Sequence, residues 1–303
     1  MVMNSVGAKG KFVLNIPKAI SQFENAMQKF PVKKILYRTI FRGKGLEFDS
    51  YRVFQPDDDS SLIDWKASLR SNQVLAKKYI EERDLNVYFL VDVSNSMLFG
   101  SGNKLKAEFA TEFISSLSHL ILGAGDKIGL VMFSDKVVKI LRPSSNKNQF
   151  PNFTRALSDS SLYGGGFDID KAVEYCLRTV KTPYTIFILI SDFIKTKKSN
   201  LRNMKLMGNR FETLAVVIRD RLDDNLPKTN YQFSIQDPYS NRQMILDPVI
   251  ASDRYKQNVI AQKKMVAQMF KDSNIDSIEL VSDENFAVPL SVFLRGRSKG
   301  GRI

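Results

Sequence analysis

The side chains that could carry chemistry gather at the ends of two apolar runs. Val87-Tyr88-Phe89-Leu90-Val91 leads into Asp92-Val93-Ser94-Asn95-Ser96, and Thr185 to Ile190 leads into Ser191-Asp192. Asp92, Ser94 and Ser96 place three oxygen side chains at alternate positions of a segment leaving a strand, a spacing that lets a bending loop aim all three at one point. Such a set suits a hard cation: magnesium takes oxygen ligands, keeps several waters and needs only one or two carboxylates. Asp192 would be the second carboxylate. By chance an Asp-x-Ser-x-Ser triplet arises about 0.1 times in a chain of this length at average composition. A simple turn that uses Asp92 and Ser94 as caps explains the triplet alone. Its position after the most hydrophobic early run, with a second run ending in Ser-Asp, favours a site.

Other chemistries lack their residues. The single histidine, His119, excludes metal sites built from several histidines and makes a serine triad depend on that one residue. It falls off the apolar stripe formed by Leu105, Phe109, Phe113, Leu117 and Leu120, so it reads as an exposed residue of a helix. The single cysteine, Cys176, can form neither an intramolecular disulfide nor a thiolate zinc cluster, and its apolar neighbours predict a buried helix position. No Walker lysine motif and no Gly-x-Gly-x-x-Gly follows the first strand. Gly164-Gly165-Gly166 could cradle a phosphate, although a turn ahead of the next helix accounts for it. In a haloacid-type phosphatase a second acid stands two residues after the first, and here that place is Ser94. The expectation is a protein that is not an enzyme.

The elements that must position these residues follow from hydrophobic patterning. Strands are predicted at Asn86 to Val91, Lys127 to Phe133, Val137 to Leu141, Thr185 to Ile190, Thr213 to Ile218 and Asp276 to Val281. Helices are predicted at Lys104 to Leu122, Asn148 to Ser158, Asp168 to Val180, Asn200 to Met207 and Asp253 to Phe270. Continuous apolar strands separated by amphipathic helices indicate an α/β fold with a doubly wound, mostly parallel sheet covered on both faces. In such sheets ligands bind outside the carboxyl ends of the strands, where Asp92 and Asp192 fall. Residues 221–250 read as an inserted segment with a β-hairpin around a polar turn. The first 84 residues, with a helix from Pro17 to Phe30 stopped by Pro31 and an extended stretch from Glu47 to Phe54, read as a lobe packed on the main domain. That domain spans residues 85–295, and residues 296–303 form a basic tail.

Composition bounds the partners. The 303 residues carry a formal net charge of +13, and the first 50 hold nine basic against three acidic groups. Nucleic acid, anionic lipid and acidic proteins all fit this balance. No stretch of 18 uncharged apolar residues and no signal-peptide pattern is visible, which predicts a cytoplasmic protein, with peripheral contact to the inner membrane face through its basic residues. A nucleic-acid-binding protein using the basic N-terminal lobe and tail is the alternative, although no interleaved aromatic and arginine pattern accompanies the charge.

The residues quoted so far resemble a known family. Asp92-Val93-Ser94-Asn95-Ser96-Met97 resembles the metal-ion-dependent adhesion motif of von Willebrand factor A domains. Arg42-Gly43-Lys44-Gly45-Leu46-Glu47-Phe48, Arg52, Phe54, Asp58-Asp59, Ile63-Asp64-Trp65-Lys66-Ala67-Ser68-Leu69-Arg70 and Glu82-Arg83-Asp84 are similar to the bacterial family catalogued as domain of unknown function fifty-eight. Gly125 to Leu130 and Pro289 to Arg295 continue the likeness. The resemblance implies a von Willebrand A-like interaction protein that binds Mg²⁺ or Mn²⁺ and accepts a carboxylate from a partner, with a MoxR-type AAA+ ATPase as that partner in a chaperone-like or assembly role. It implies metal contacts at Asp92, Ser94, Ser96 and Asp192. The family's Gly-Gly-Thr-Asp turn appears as Gly165-Gly166-Phe167-Asp168, and Phe167 has no ligating atom. Asp168 or a water then fills that place, or the site binds metal weakly or not at all. The family's Gly-Asp-Asp appears as Asp57-Asp58-Asp59, and a following arginine is Ser61. Trp65 reads as a core anchor between the N-terminal lobe and the sheet, with Asp64 tying down the same junction.

Overall fold

The four central runs lie inside one six-stranded sheet because each is apolar at both its odd and its even positions and so has a core to meet on either face. The computed structural model describes residues 11–28, 47–55, 58, 60–80, 85–182, 184–227, 229, 231–237, 239–240 and 242–298. Phe30, Pro31, Arg42 to Leu46, Asp57, Asp59, Glu82 to Asp84 and residues 299–303 of the basic tail, all part of the expectations above, lie outside the described residues. The sheet strands are β3 (Asn86–Asp92), β4 (Lys127–Phe133), β5 (Val137–Ser144), β6 (Thr185–Ser191), β7 (Glu212–Arg219) and β10 (Asp276–Val281), in the order β10-β7-β6-β3-β4-β5. All neighbours are parallel except β5, which returns antiparallel along β4.

Alternate residues of the strands feed two cores. Val87, Phe89, Val91, Leu130, Ile188 and Val216 face one, and Leu90, Val131, Phe187, Leu189 and Val217 face the other. Phe89 lies edge-on to Phe153 with ring centroids 6.0 Å apart. The first core is closed by α3 (Lys106–Gly123), α4 (Gln149–Ser158), the N-terminal α1 (Ile16–Gln28) and the C-terminal α9 (Ala287–Ser298). Phe23 of α1 and Phe109 and Phe113 of α3 all pack their rings against Phe286, just ahead of α9. The second core is closed by α5 (Ile169–Thr179), α6 (Leu201–Arg210) and α8 (Pro248–Asp272).

Helix α3 is buried well beyond the single stripe that its leucines and phenylalanines define, because α1 packs on its outer side. Its buried carboxylates therefore bind neighbouring backbone rather than water. Glu108 accepts the Val13 N–H at 2.6 Å and the Leu105 N–H at 2.8 Å, and Glu112 accepts the Asn15 N–H at 2.9 Å and pairs with Lys104. Two carboxylates of α3 thus fix the backbone that leads into α1. His119 is exposed, beside Glu24, as its place off the stripe predicts. Cys176 is fully buried in α5, and burial pushes its thiol up to about 12.

Residues 47–80 form a small separate sheet. β1 (Glu47–Val53) pairs antiparallel with β2 (Leu75–Ile80), and the short helix α2 (Trp65–Ser71) lies on β2. Here the structure corrects the expectation for Trp65, whose surface is 65% exposed. The buried residue of α2 is Ser68, whose hydroxyl donates to the Asp64 carbonyl at 2.7 Å and accepts the Leu75 N–H at 2.8 Å. A helix held this close to a strand by a serine leaves no room for an indole beneath it, so Trp65 and Leu69 turn outward. Asp64 does act as a tie, but within this unit: it caps α2 through the Lys66 and Ala67 N–H groups, accepts the Tyr51 hydroxyl and pairs with Lys77.

Two short elements follow β7: a helical turn, α7 (Arg221–Asp224), and the hairpin of β8 (Phe233–Gln236) and β9 (Gln243–Leu246), which lies in the segment expected to be inserted. Among the described residues the hairpin strands pair only with each other.

Candidate functional site: an acidic and hydroxylic cluster at the strand ends

The order of the sheet creates the site. From β3 the chain crosses to β4 on one side and then to β6 on the other, so the loops that leave β3 and β6 diverge and open a crevice at their carboxyl ends. Asp92 ends β3 and Asp192 directly follows β6, and both are almost wholly buried.

The loop after β3 is held by its own polar groups. Asp92 Oδ1 accepts the Ser94 N–H at 2.8 Å, and Oδ2 accepts the Ser191 hydroxyl at 2.6 Å. This bends the chain so that the Ser94 and Ser96 oxygens stand 3.2 Å apart. The glycine turn 164–166 supports the bend from outside. Asn95 N–H donates to the Gly165 carbonyl, Gly165 N–H donates to Asn95 Oδ1, both at 3.1 Å, and Gly164 N–H donates to the Val93 carbonyl at 2.7 Å. Gly164 and Gly165 have φ of +132° and +84°, which a side chain would strain. A Cβ on Gly165 would also stand 3.2 Å from Asp135 Oδ1. The glycines thus serve loop-to-loop contact.

Charge balance is the next feature. Lys106, at the start of α3 and 1% exposed, donates through Nζ to Asp192 Oδ2 at 2.7 Å and to Asp223 Oδ2 at 2.9 Å. Burial works to raise the Asp192 carboxyl, but the Lys106 ammonium outweighs it and holds it below the usual range. Burial pushes Asp92 up to about 7, and the negative charge of Asp192 adds to this, against the hydrogen bonds from Ser191 and Ser94. Asp223 is raised by burial in spite of Lys106. The Lys106 ammonium therefore pairs with Asp192 and Asp223, while Asp92 is held by an amide and a hydroxyl donor beside the negative charge of Asp192.

Of the five residues predicted for a metal site, the fold brings Asp92, Ser94, Ser96 and Asp192 together. Asp168 serves as the N-cap of α5, accepting the Lys171 N–H at 3.3 Å and pairing with the Lys171 ammonium at 3.4 Å. Phe167 packs against the second core beside Phe133. Among the described residues no three His, Cys, Asp or Glu side chains are arranged to hold a metal ion, so a cation here would depend on the serine hydroxyls. The donors that do converge, two carboxylates and two hydroxyls, are all hard oxygens, the kind of set that suits a hard divalent ion.

Four participants have roles that the sequence reading did not assign. Asp223 follows the end of β7 by four residues, where the same search at strand ends would have met it. Ser191 immediately precedes Asp192. Lys106 scores as a polar residue, and nothing in its neighbourhood marks it as buried. Tyr239 belongs to the hairpin, and its hydroxyl lies 3.2 Å from Ser94 Oγ.

Known proteins resemble the chain in sequence and in structure. An uncharacterised protein of Mycobacterium tuberculosis is 23% identical over 261 residues, 85% of this chain and 81% of that protein. Among solved structures, the conserved hypothetical protein BatB from Bacteroides thetaiotaomicron aligns at 16% identity with a TM-score of 0.45, over 71% of this chain and all of that one. The SpRpn10 von Willebrand A domain aligns at 10% identity with a TM-score of 0.39, over 69% of this chain and 95% of that one. The family described as a protein of unknown function, DUF58, matches residues 50–265. The Asp92 loop stands at the carboxyl end of a six-stranded sheet, and the chain belongs to the DUF58 family.

Proposed function

We propose that the protein is a non-enzymatic protein-interaction module whose contact point is the Asp92, Ser94 and Ser96 loop. The observation that carries this reading is the convergence of Asp92, Ser94, Ser96 and Asp192 at the strand ends, where burial and the charge of Asp192 raise the Asp92 carboxyl while the Lys106 ammonium is bound to Asp192 and Asp223. Asp92, Ser94 and Ser96 would hold Mg²⁺ or Mn²⁺, with Asp192 behind them. A bound divalent ion would supply positive charge with an open position that an acidic side chain of a partner can enter. The chain's own residues do the rest. Ser191 and the Ser94 N–H orient the Asp92 carboxylate, Lys106 keeps Asp192 ionised, and the glycine turn fixes the loop from outside. A MoxR-type AAA+ ATPase, through an exposed acidic residue and in a chaperone-like or assembly role, is the partner this reading assigns. Calorimetric titration with Mg²⁺ and with Mn²⁺ tests the metal part: the wild type binds and Asp92→Ala does not. Absence of binding by the wild type removes it.

A second contact surface is favoured by α2. Trp65 and Leu69 stand one helical turn apart, 65% and 81% exposed, with Lys66 and Arg70 exposed beside them. Tryptophan and leucine flanked by basic residues suit the boundary of an anionic bilayer. Each basic residue there contributes about 1 kcal/mol. This reading places the protein in the cytoplasm, peripheral to the inner membrane face; among the described residues no helix is long and apolar enough to cross a membrane. Sedimentation with vesicles tests it. Binding requires acidic lipid and falls with Trp65→Ala, whereas equal sedimentation of the variant and the wild type counts against it.

A further inference from the structure

The tip of the β8–β9 hairpin is built to send one side chain inward. Asp237 Oδ1 accepts the Tyr239 N–H at 2.9 Å, its Oδ2 accepts the Ser240 hydroxyl at 2.8 Å, and Asp237 N–H donates to the Arg242 carbonyl at 2.9 Å. The turn so closed leaves most of the hairpin in solvent, with Met244 59% and Ile245 75% exposed. Tyr239 is the exception. Its ring is half-buried, its hydroxyl meets Ser94 Oγ at 3.2 Å, and the Lys195 ammonium lies 4.8 Å from its ring centroid. Ser94 is itself fully buried, 3.2 Å from Ser96 Oγ. The phenol therefore stands on the two serine oxygens at which an incoming ligand would arrive.

The attachment is slight. A neutral hydrogen bond and a cation–π contact near the surface together favour the closed position by roughly tenfold to a few tens of fold. The hairpin has four residues in each strand and no partner in the central sheet. Two-stranded units of this size are marginal by themselves. Lifting the tip would break no ladder hydrogen bond of the main fold.

We propose that the β8–β9 hairpin is a displaceable cover of the Asp92 site, and that the Tyr239 hydroxyl is an internal occupant which a partner's acidic side chain replaces. This rests on the interaction reading given above and adds how access is regulated. Departure of the ring also releases the exposed Lys195 ammonium, which then faces the arriving carboxylate. The site is latent until a partner competes with the hairpin.

Two measurements test the cover without metal or partner. In the first, Ser94→Cys serves as an accessibility probe for a thiol reagent at pH 8. The native Cys176 stays silent there, because burial holds its thiol near about 12. The cover predicts slow labelling of Ser94→Cys and labelling about tenfold faster in Ser94→Cys combined with Tyr239→Ala. In the second, Tyr239→Phe removes only the hydroxyl, and hydrogen exchange of residues 233–246 speeds up while that of β3 is unchanged. Equal labelling rates, or hairpin exchange unaffected by Tyr239→Phe, overturn the proposal. The interaction reading fails separately, if Asp92→Ala leaves divalent-ion binding unaltered.

Discussion

Lys106→Met removes an ammonium and keeps the length of the side chain, so it isolates the charge that holds the strand ends together. In the native protein Nζ lies 2.7 Å from Asp192 Oδ2 and 2.9 Å from Asp223 Oδ2, and the lysine side chain is 1% exposed. At such distances each attraction is worth about 6 kcal/mol with an effective dielectric of about 20. The cost of drying three charged groups offsets most of this. Removing one member of a buried pair leaves the others uncompensated, and the typical loss is about 3–5 kcal/mol. The loss has a definite pH dependence. In the wild type Asp192 is held below its usual range, so it contributes stability above the unfolded value that is lost as pH falls. Without Lys106 burial prevails and both carboxyls rise, so the folded variant takes up protons that the unfolded chain does not hold. Its stability falls as pH rises through those raised values. Urea unfolding followed by circular dichroism therefore shows the largest deficit at pH 8, narrowing toward pH 5, and Lys106→Met with Asp192→Asn recovers part of it. A loss under about 1 kcal/mol at pH 8, or a deficit that does not change with pH, refutes the reasoning.

Three further outcomes are expected. In metal-free protein Asp92 is pushed from 3.8 up to about 7, so its contribution is intact below the unfolded value and lost as pH rises through about 7. Asp92→Asn, a neutral substitute for the protonated acid, flattens that decline, with a gain of up to about 4 kcal/mol at pH 8 in urea unfolding. Gly165→Ala meets both a positive φ and a close approach to Asp135, and a thermal melt should show a loss of about 1–3 kcal/mol. Cys176 should not react with a thiol reagent at pH 8 in the folded protein and should react fully in urea, since its thiol is fully buried.

Much of the sheet and its helices was legible because the strands are apolar at consecutive positions and the helices at every third or fourth. β4 and β10 have the predicted bounds, and β3, β6 and β7 extend by one residue at one or both ends. The parallel order then placed Asp92 and Asp192 on adjacent strand ends, which residue spacing and the switch-point rule together predict. What stayed hidden depends on contacts between distant segments. Glu108 and Glu112 read as solvent-facing but are buried where the segment leading into α1 crosses α3, and Lys106 is buried because it turns toward Asp192 and Asp223 at the strand ends. Trp65 reads as core by its size, but Ser68 fixes α2 too near β2 for that. Tyr239 comes from an inserted hairpin whose direction no local pattern encodes. Asp168 follows the glycine turn as a ligand would, yet the helix end claims its carboxylate.

The central claim is that this protein binds a partner through Asp92 and its serines. Affinity between the purified chain and a purified MoxR-type ATPase, measured with Mg²⁺ and with chelator for the wild type and Asp92→Ala, tests it most directly. The account predicts binding by the wild type in Mg²⁺, weakened at least tenfold by chelator or by Asp92→Ala. Equal affinity under all these conditions contradicts it.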